Sequence, residues 1–164
     1  MVAVWLLTWA AWAGLPADLD PAATRSVTKR DDAVLALAAL PGPDATATLI
    51  QVLFGDPAED VRFRAAKILF HWWADAGADA EPFRGVAESA AADADSRIRV
   101  LAVRALGDTG DDYTMVTPYL GDDDDAVSAA AWATCERWAD RHRDRAAEVR
   151  AALKASRAER TAPR

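Results

Sequence analysis

Apolar residues along this chain recur three and four positions apart, the period of a helix buried along one face, rather than in the alternation of a strand. One arrangement returns several times. It reads apolar residue, often Arg, two variable positions, two small residues, two more positions, then a large apolar residue. The clearest copies are Val61-Arg62-Phe63-Arg64-Ala65-Ala66-Lys67-Ile68-Leu69 and Ile98-Arg99-Val100-Leu101-Ala102-Val103-Arg104-Ala105-Leu106. A weaker copy is Val127-Ser128-Ala129-Ala130-Ala131-Trp132-Ala133-Thr134-Cys135. The copies begin 37 and then 29 residues apart. A fourth is read 29 residues before the first, over residues 32–40, with Asp32 in the leading apolar position and Leu40 in the last.

The segments leading into the copies also match. Gly55-Asp56 and Gly121-Asp122 each precede the leading apolar residue at the same distance. A Gly there suits the end of one helix, and an Asp caps the next and favours its positive pole. These signals predict helices over about 2–13, 20–40, 44–54, 58–75, 80–92, 95–106, 111–120, 124–139 and 141–157. Asp20-Pro21 opens the second and Asp44 caps the third. Pro118 falls late in the helix at 111–120 and is expected to kink or shorten it.

A chain built from one recurring helical unit predicts an all-α solenoid, an architecture suited to holding a partner along a continuous face. The stretch from Asp95 to Asp111, Asp95-Ser96-Arg97-Ile98-Arg99-Val100-Leu101-Ala102-Val103-Arg104-Ala105-Leu106-Gly107-Asp108-Thr109-Gly110-Asp111, followed by a second helix over 112–120, resembles the HEAT-like repeats of the phycobilisome-lyase (PBS lyase) type. The resemblance covers roughly residues 31–150. It implies an armadillo-like α-solenoid, a right-handed superhelix of about four HEAT-like helical pairs. Members of that family range from bilin attachment factors to plain scaffolds, so the resemblance specifies a fold better than a function.

The expected organisation is an apolar N-terminal helix and linker over 1–19, a repeat domain over 20–157 and a polar tail over 158–164. Residues 2–13 carry Trp5, Trp9 and Trp12 on one helical face, as a cap over the open end of the first repeat would. The same stretch has the length of a secretory h-region, and Ala11-Trp12-Ala13 before Gly14 fits a small-x-small cleavage site, although no Lys or Arg precedes it. A capping helix implies a cytoplasmic protein and a cleaved signal an exported one. The segment is too short to span a bilayer, which needs about 20 residues.

Charge is unevenly divided. The chain is acidic, with a formal net charge of −7. Residues 137–164 carry nine basic and four acidic side chains (+5), and residues 1–136 carry ten and 22 (−12). Arg143, Arg150, Lys154, Arg157 and Arg164 recur at helical spacing as a basic stripe. That stripe is either a solvated face whose acids Asp140, Asp144 and Glu148 pair locally, or a contact for an acidic partner or nucleic acid. Overall acidity disfavours nucleic acid, and membrane association is not expected. The Asp122–Asp125 run lacks the spaced ligands and closing Glu of a calcium loop, and reads as helix capping. Arg62 and Arg99 hold the same repeat position and are expected to form a ladder with acids of adjacent units, stopping where Ser128 replaces Arg.

Catalytic constellations are nearly absent. His71 and His142 are the two histidines, and neither belongs to a metal-ligating pair. The single Cys135 excludes an internal disulfide and stands where Leu69 and Leu106 stand, so it reads as a small buried hydrophobe. In His71-Trp72-Trp73, Trp72 extends the stripe of Ala65 and Leu69 into the core. Trp73 and His71 are left for the surface, as helix-end packing or as a binding anchor. The expectation is therefore a noncatalytic module with no cofactor or metal, holding a protein or peptide partner. The presenting face is expected from 44–54, 80–92 and 111–120, and the candidate contacts are Trp73, His71, Arg143, Arg150, Lys154 and Arg157. The alternatives are a lyase-like or chaperone-like accessory factor, and nucleic-acid binding through the C-terminal basic helix.

Overall fold

The computed structural model describes residues 15–76, 81–109 and 112–161. Every regular element among them is helical. The α-helices are α1 (Val27–Leu37), α2 (Pro43–Gly55), α3 (Glu59–Ala76), α4 (Glu81–Ala90), α5 (Ser96–Thr109), α6 (Asp125–Arg141) and α7 (Ala146–Thr161). Two short 3-10 turns, Tyr113–Met115 and Thr117–Gly121, lie between α5 and α6. None of the described helices is long and apolar enough to cross a membrane. The expected helix at 2–13, with its alternative as a signal segment, lies outside the described residues, as do Arg164 and the end of the tail. Helix α7 continues to Thr161, into the segment expected as polar tail.

Two compact units meet inside α3, one ending at Trp72 and the other beginning at Trp73. The recurring pattern places its residues in the core of each. Val61, Ile98 and Val127 at the leading position are fully buried, as are Ala65, Ala102 and Ala131 four residues on. Leu69, Leu106 and Cys135 close the stripe, all buried. Burial pushes the Cys135 thiol up to about 11, well above a free thiol. In the second unit α6 is central, packed against α5, α7 and the second 3-10 turn.

One set of bonds occurs three times. Arg30, Arg62 and Arg99 each donate from Nη1 to the carbonyl six residues earlier, at Thr24 (2.7 Å), Asp56 (3.1 Å) and Asp93 (3.1 Å). Asp56, Asp93 and Asp122 each accept, at Oδ1, the backbone N–H two residues on: Ala58 (2.8 Å), Asp95 (2.8 Å) and Asp124 (2.9 Å). Arg30 then forks onto Asp56 (2.7 and 2.9 Å), and Arg99 onto Asp122 (3.2 and 2.9 Å). Each fork ties one helix to the loop that opens a later one, the bidentate geometry at which guanidinium excels. At the fourth place Ser128 donates its hydroxyl to the Leu120 carbonyl instead (2.9 Å). Of the ladder with acids expected of Arg62 and Arg99, Arg99 makes its carboxylate pair, and Arg30 is a further member.

That member corrects the fourth copy. Its register follows Arg30 and Val34, both buried, and not Asp32 and Leu40. Leu40 is 72% exposed, past the end of α1. The residue before Pro41 is disfavoured in a helix, so α1 stops short of it. Helix α1 also starts later than expected, at a Ser26 cap whose Oγ accepts the Lys29 N–H (3.3 Å), because Asp20-Pro21 closes a separate turn. Asp44 is not a cap. Gly42 holds that position, Pro43 follows it, and Asp44 faces the positive pole of α2 from its first turn. The helix expected over 111–120 is replaced by the 3-10 turns, since Pro118 lacks an N–H and restricts Thr117 before it.

Candidate functional site

The described cations of the C-terminal segment fall into two sets with different roles, of which only the second belongs to the basic stripe. Arg137, Arg141 and Arg145 hold the fold. Arg141 donates to the Gly107 and Asp108 carbonyls (2.6 and 3.0 Å), covering acceptors at the end of α5 that lack helical partners. Arg137 reaches the Asp108 carboxylate (3.2 Å) and the Thr134 hydroxyl (3.0 Å). Arg145 lies over the rings of Tyr113 and Trp138 (5.5 and 5.3 Å) and pairs with Glu148 (3.2 Å). Tyr113 donates its hydroxyl to Glu148 (2.9 Å), and His142 stacks on Trp138 with centroids 4.0 Å apart. Burial, then the Glu148 carboxylate, pushes the Tyr113 phenol up; Arg145, then Tyr113, holds Glu148 down. This cluster clamps the start of α7 against α6 and the first 3-10 turn.

The second set lines a groove. Trp132, Glu136 and Asp140 of α6 face Arg150, Leu153, Lys154 and Arg157 of α7 across an open cleft of about 380 Å³. The apolar stripe on α7 fixes this arrangement, because burying Ala146, Val149 and Leu153 turns positions 150, 154 and 157 to the rim. Trp132 is half-buried. Its Nε1 donates to the Leu120 carbonyl (3.3 Å), and the Arg157 guanidinium stands 5.0 Å over its ring. Arg150 and Asp140 pair at 3.4 Å with side chains 64% and 75% exposed, a solvated pair of little energetic weight. A second cleft of about 580 Å³, lined by Ala139, Asp140, Arg143, Ala146 and Arg150, shares Asp140 and Arg150 with the first. Four cations and two carboxylates therefore border one continuous run of open clefts.

Of the six residues proposed from the sequence, the fold brings Arg143, Arg150, Lys154 and Arg157 together. His71 is exposed on α3 and does not line these clefts. Trp73 is not a surface anchor: it is 3% exposed and stacks on Phe83 with centroids 6.3 Å apart. The buried stripe of α3 advances by fours through Val61, Ala65 and Leu69 to Trp73, leaving Trp72 half-exposed. Sequence reasoning passed over Trp132. Its signal was a large ring at the position that holds buried Ala66 and Val103 in the other copies, where it cannot be swallowed by the same space.

The acidic run before α6 is capping machinery. Asp124 accepts the Ala126 and Val127 N–H groups (2.9 and 3.2 Å), and Asp122 takes Arg99. Among the described residues no three or more His, Cys, Asp or Glu side chains converge as a cation cage. No protein-family model and no curated protein matches the chain.

Proposed function

We propose that this chain is a noncatalytic protein-binding module, an α-solenoid of about four HEAT-like helical pairs similar to the phycobilisome-lyase type. The observation that carries this reading is the threefold recurrence of the Arg-to-carbonyl bond at Arg30, Arg62 and Arg99, joined at Arg30 and Arg99 by a carboxylate partner on the following inter-helix loop. A polar device repeated at similar chain intervals is what a stack of equivalent units requires at each junction, and such stacks present extended surfaces.

Two of the chain's potentially reactive side chains are taken up by the fold. Cys135 is buried with its thiol pushed up to about 11, and His142 lies flat on Trp138 at the end of α6. The open clefts between α6 and α7 suit a chain laid along the surface better than an enclosed prosthetic group. The 3-10 turns Tyr113–Met115 and Thr117–Gly121 stand in place of the helical face expected over 111–120.

The test is capture with the tagged full-length chain from its native extract at low and moderate salt. The captured protein is then purified and recombined with the chain in sedimentation velocity. A stoichiometric complex that survives moderate salt is the expected result. Recovery of nucleic acid or of a bound chromophore, with no protein that recombines, would overturn it.

A further inference from the structure

We propose that the groove between α6 and α7 receives an extended acidic segment of a protein partner, with carboxylates at alternate positions on Arg150, Lys154 and Arg157 and an apolar side chain on Trp132 and Leu153. The proposal rests on the reading of the chain as a protein-binding module and names the partner's chemistry at one site.

Spacing is the first argument. Arg150, Lys154 and Arg157 lie four and three residues apart on α7, so the rise of about 1.5 Å per residue sets them about 6 and 4.5 Å apart along the helix. An extended chain rises about 3.3 Å per residue, so its same-side side chains recur every 6.6 Å or so. Long Arg and Lys stems absorb the difference. An acidic residue at every second position therefore meets successive cations, and the intervening residues face away.

Charge is the second argument. Segment 137–164 carries +5 in a chain of net −7, and among its described cations Arg143, Arg150, Lys154 and Arg157 border the clefts while Arg137, Arg141 and Arg145 make contacts within the fold. Lys154 and Arg143 reach no carboxylate within salt-bridge distance among the described residues. The exposed Arg150–Asp140 pair yields to an incoming carboxylate at little cost.

The acidic wall of the groove separates a peptide from a polynucleotide. Glu136 and Asp140 stand on the opposite wall. A peptide sets a neutral residue against them, whereas the evenly spaced phosphates of a nucleic acid cannot avoid them. Trp132 and Leu153 supply an apolar floor for the residue that breaks the acidic run, and the Arg157 guanidinium over Trp132 already holds the ring at the groove surface.

The experiment uses the full-length chain and a fluorescein-labelled peptide with Asp at alternate positions, Ala between them and one central Leu. Its Asp→Asn counterpart and an oligo-dT of equal charge serve as comparisons, all read by fluorescence anisotropy. Saturable binding of the Asp peptide is expected, with weaker binding of the other two. Lys154→Glu with Arg157→Glu is expected to weaken the Asp peptide roughly tenfold, from two exposed charge contacts reversed. Asp140→Asn is expected to strengthen it severalfold by releasing Arg150. The Trp132 indole N–H resonance, assigned through Trp132→Phe, is expected to shift on peptide addition. The proposal is overturned if the Asp peptide does not bind, if the charge reversal leaves its affinity unchanged, or if oligo-dT binds more tightly. Intact capture of the native partner by the charge-reversed chain also removes the groove proposal, while leaving the protein-binding reading in place.

Discussion

Arg30 and Asp56 offer the sharpest test of how the N-terminal unit is held. Both side chains are almost fully buried, at 3% and 0% exposure, and joined by bonds of 2.7 and 2.9 Å. Arg30 also donates to the Thr24 carbonyl, and Asp56 also accepts the Ala58 N–H that opens α3. Replacing Arg30 by Met keeps much of the stem and removes the charge. The Asp56 carboxylate is then buried without a counter-charge, a situation that costs about 3–5 kcal/mol. With a urea slope of about 2 kcal/mol/M, a 4 kcal/mol loss lowers the midpoint by about 2 M. The double variant Arg30→Met/Asp56→Asn removes both charges and keeps an oxygen for the Ala58 N–H. It is expected to recover all but about 1–2 kcal/mol, so the two substitutions are strongly non-additive. Arg99→Met is expected to cost less, because Arg99 and Asp122 keep 14% and 12% of their exposure and water reaches them. The assay is urea unfolding followed by far-ultraviolet circular dichroism for parent, singles and double. A loss below about 1 kcal/mol in Arg30→Met would refute the argument, since that is the weight of a solvated pair. Equal losses in Arg30→Met and the double would move the cause from the stranded charge to the lost contacts of the stem and Thr24.

Two further outcomes follow from the same geometry. Gly107→Ala places a methyl group onto Thr134 Cγ2 and within 3.3 Å of Thr134 Cβ and 3.4 Å of Val116 Cγ2, between packed α5 and α6. A stability loss of about 1–3 kcal/mol, read from urea unfolding, is expected, and Gly107→Ala/Thr134→Ser should recover most of it by removing Cγ2; no recovery would disprove the close approach. On acidification, Asp112, Asp122, Asp124 and Glu148 act together. Asp112 is held down by the Thr114 N–H, Asp124 by the Ser96 hydroxyl and the Val127 and Ala126 N–H groups, and Glu148 by Arg145 and Tyr113. Burial pushes Asp122 up, but the Arg99 hydrogen bond reverses this, leaving it below its ordinary value. Folded values below the unfolded ones contribute stability above the unfolded range and lose it as pH falls through the folded values. The urea midpoint should therefore hold from neutral pH to about 5 and fall steadily below about 4; a midpoint that rises below pH 4 would contradict these contacts.

The helices were legible where a stripe and a cap agreed. Residues 58–75, 95–106 and 124–139 were expected as helices, and α3, α5 and α6 stand there, because Val61, Ile98 and Val127 each begin a run of apolar side chains on one face. The acids before α6 were legible as caps for the same local reason. Leu40 misled because apolar identity is not burial. Position 40 follows the end of α1, and the period that pointed to it was an alignment by apolar residues, whereas the unit is aligned by its buried Arg. Trp73 misled because a stripe can advance by fours or by threes, and the choice belongs to the neighbouring helix that carries Phe83.

The sequence alone determined the helical class, the segments that carry it and the gathering of cations after Arg137, since periodicity, capping and charge are properties of neighbours along the chain. Tertiary structure decided which polar residues are structural. Arg30 and Asp56, 26 residues apart, become a buried pair, and Arg141 closes the end of α5, 34 residues before it. It also set Trp132 beside Arg150, Lys154 and Arg157, because only the packing of α7 on α6 brings one helix's ring under another's cations. Burial and charge pairing across such separations depend on three-dimensional neighbours, which a helical period read along one segment does not contain.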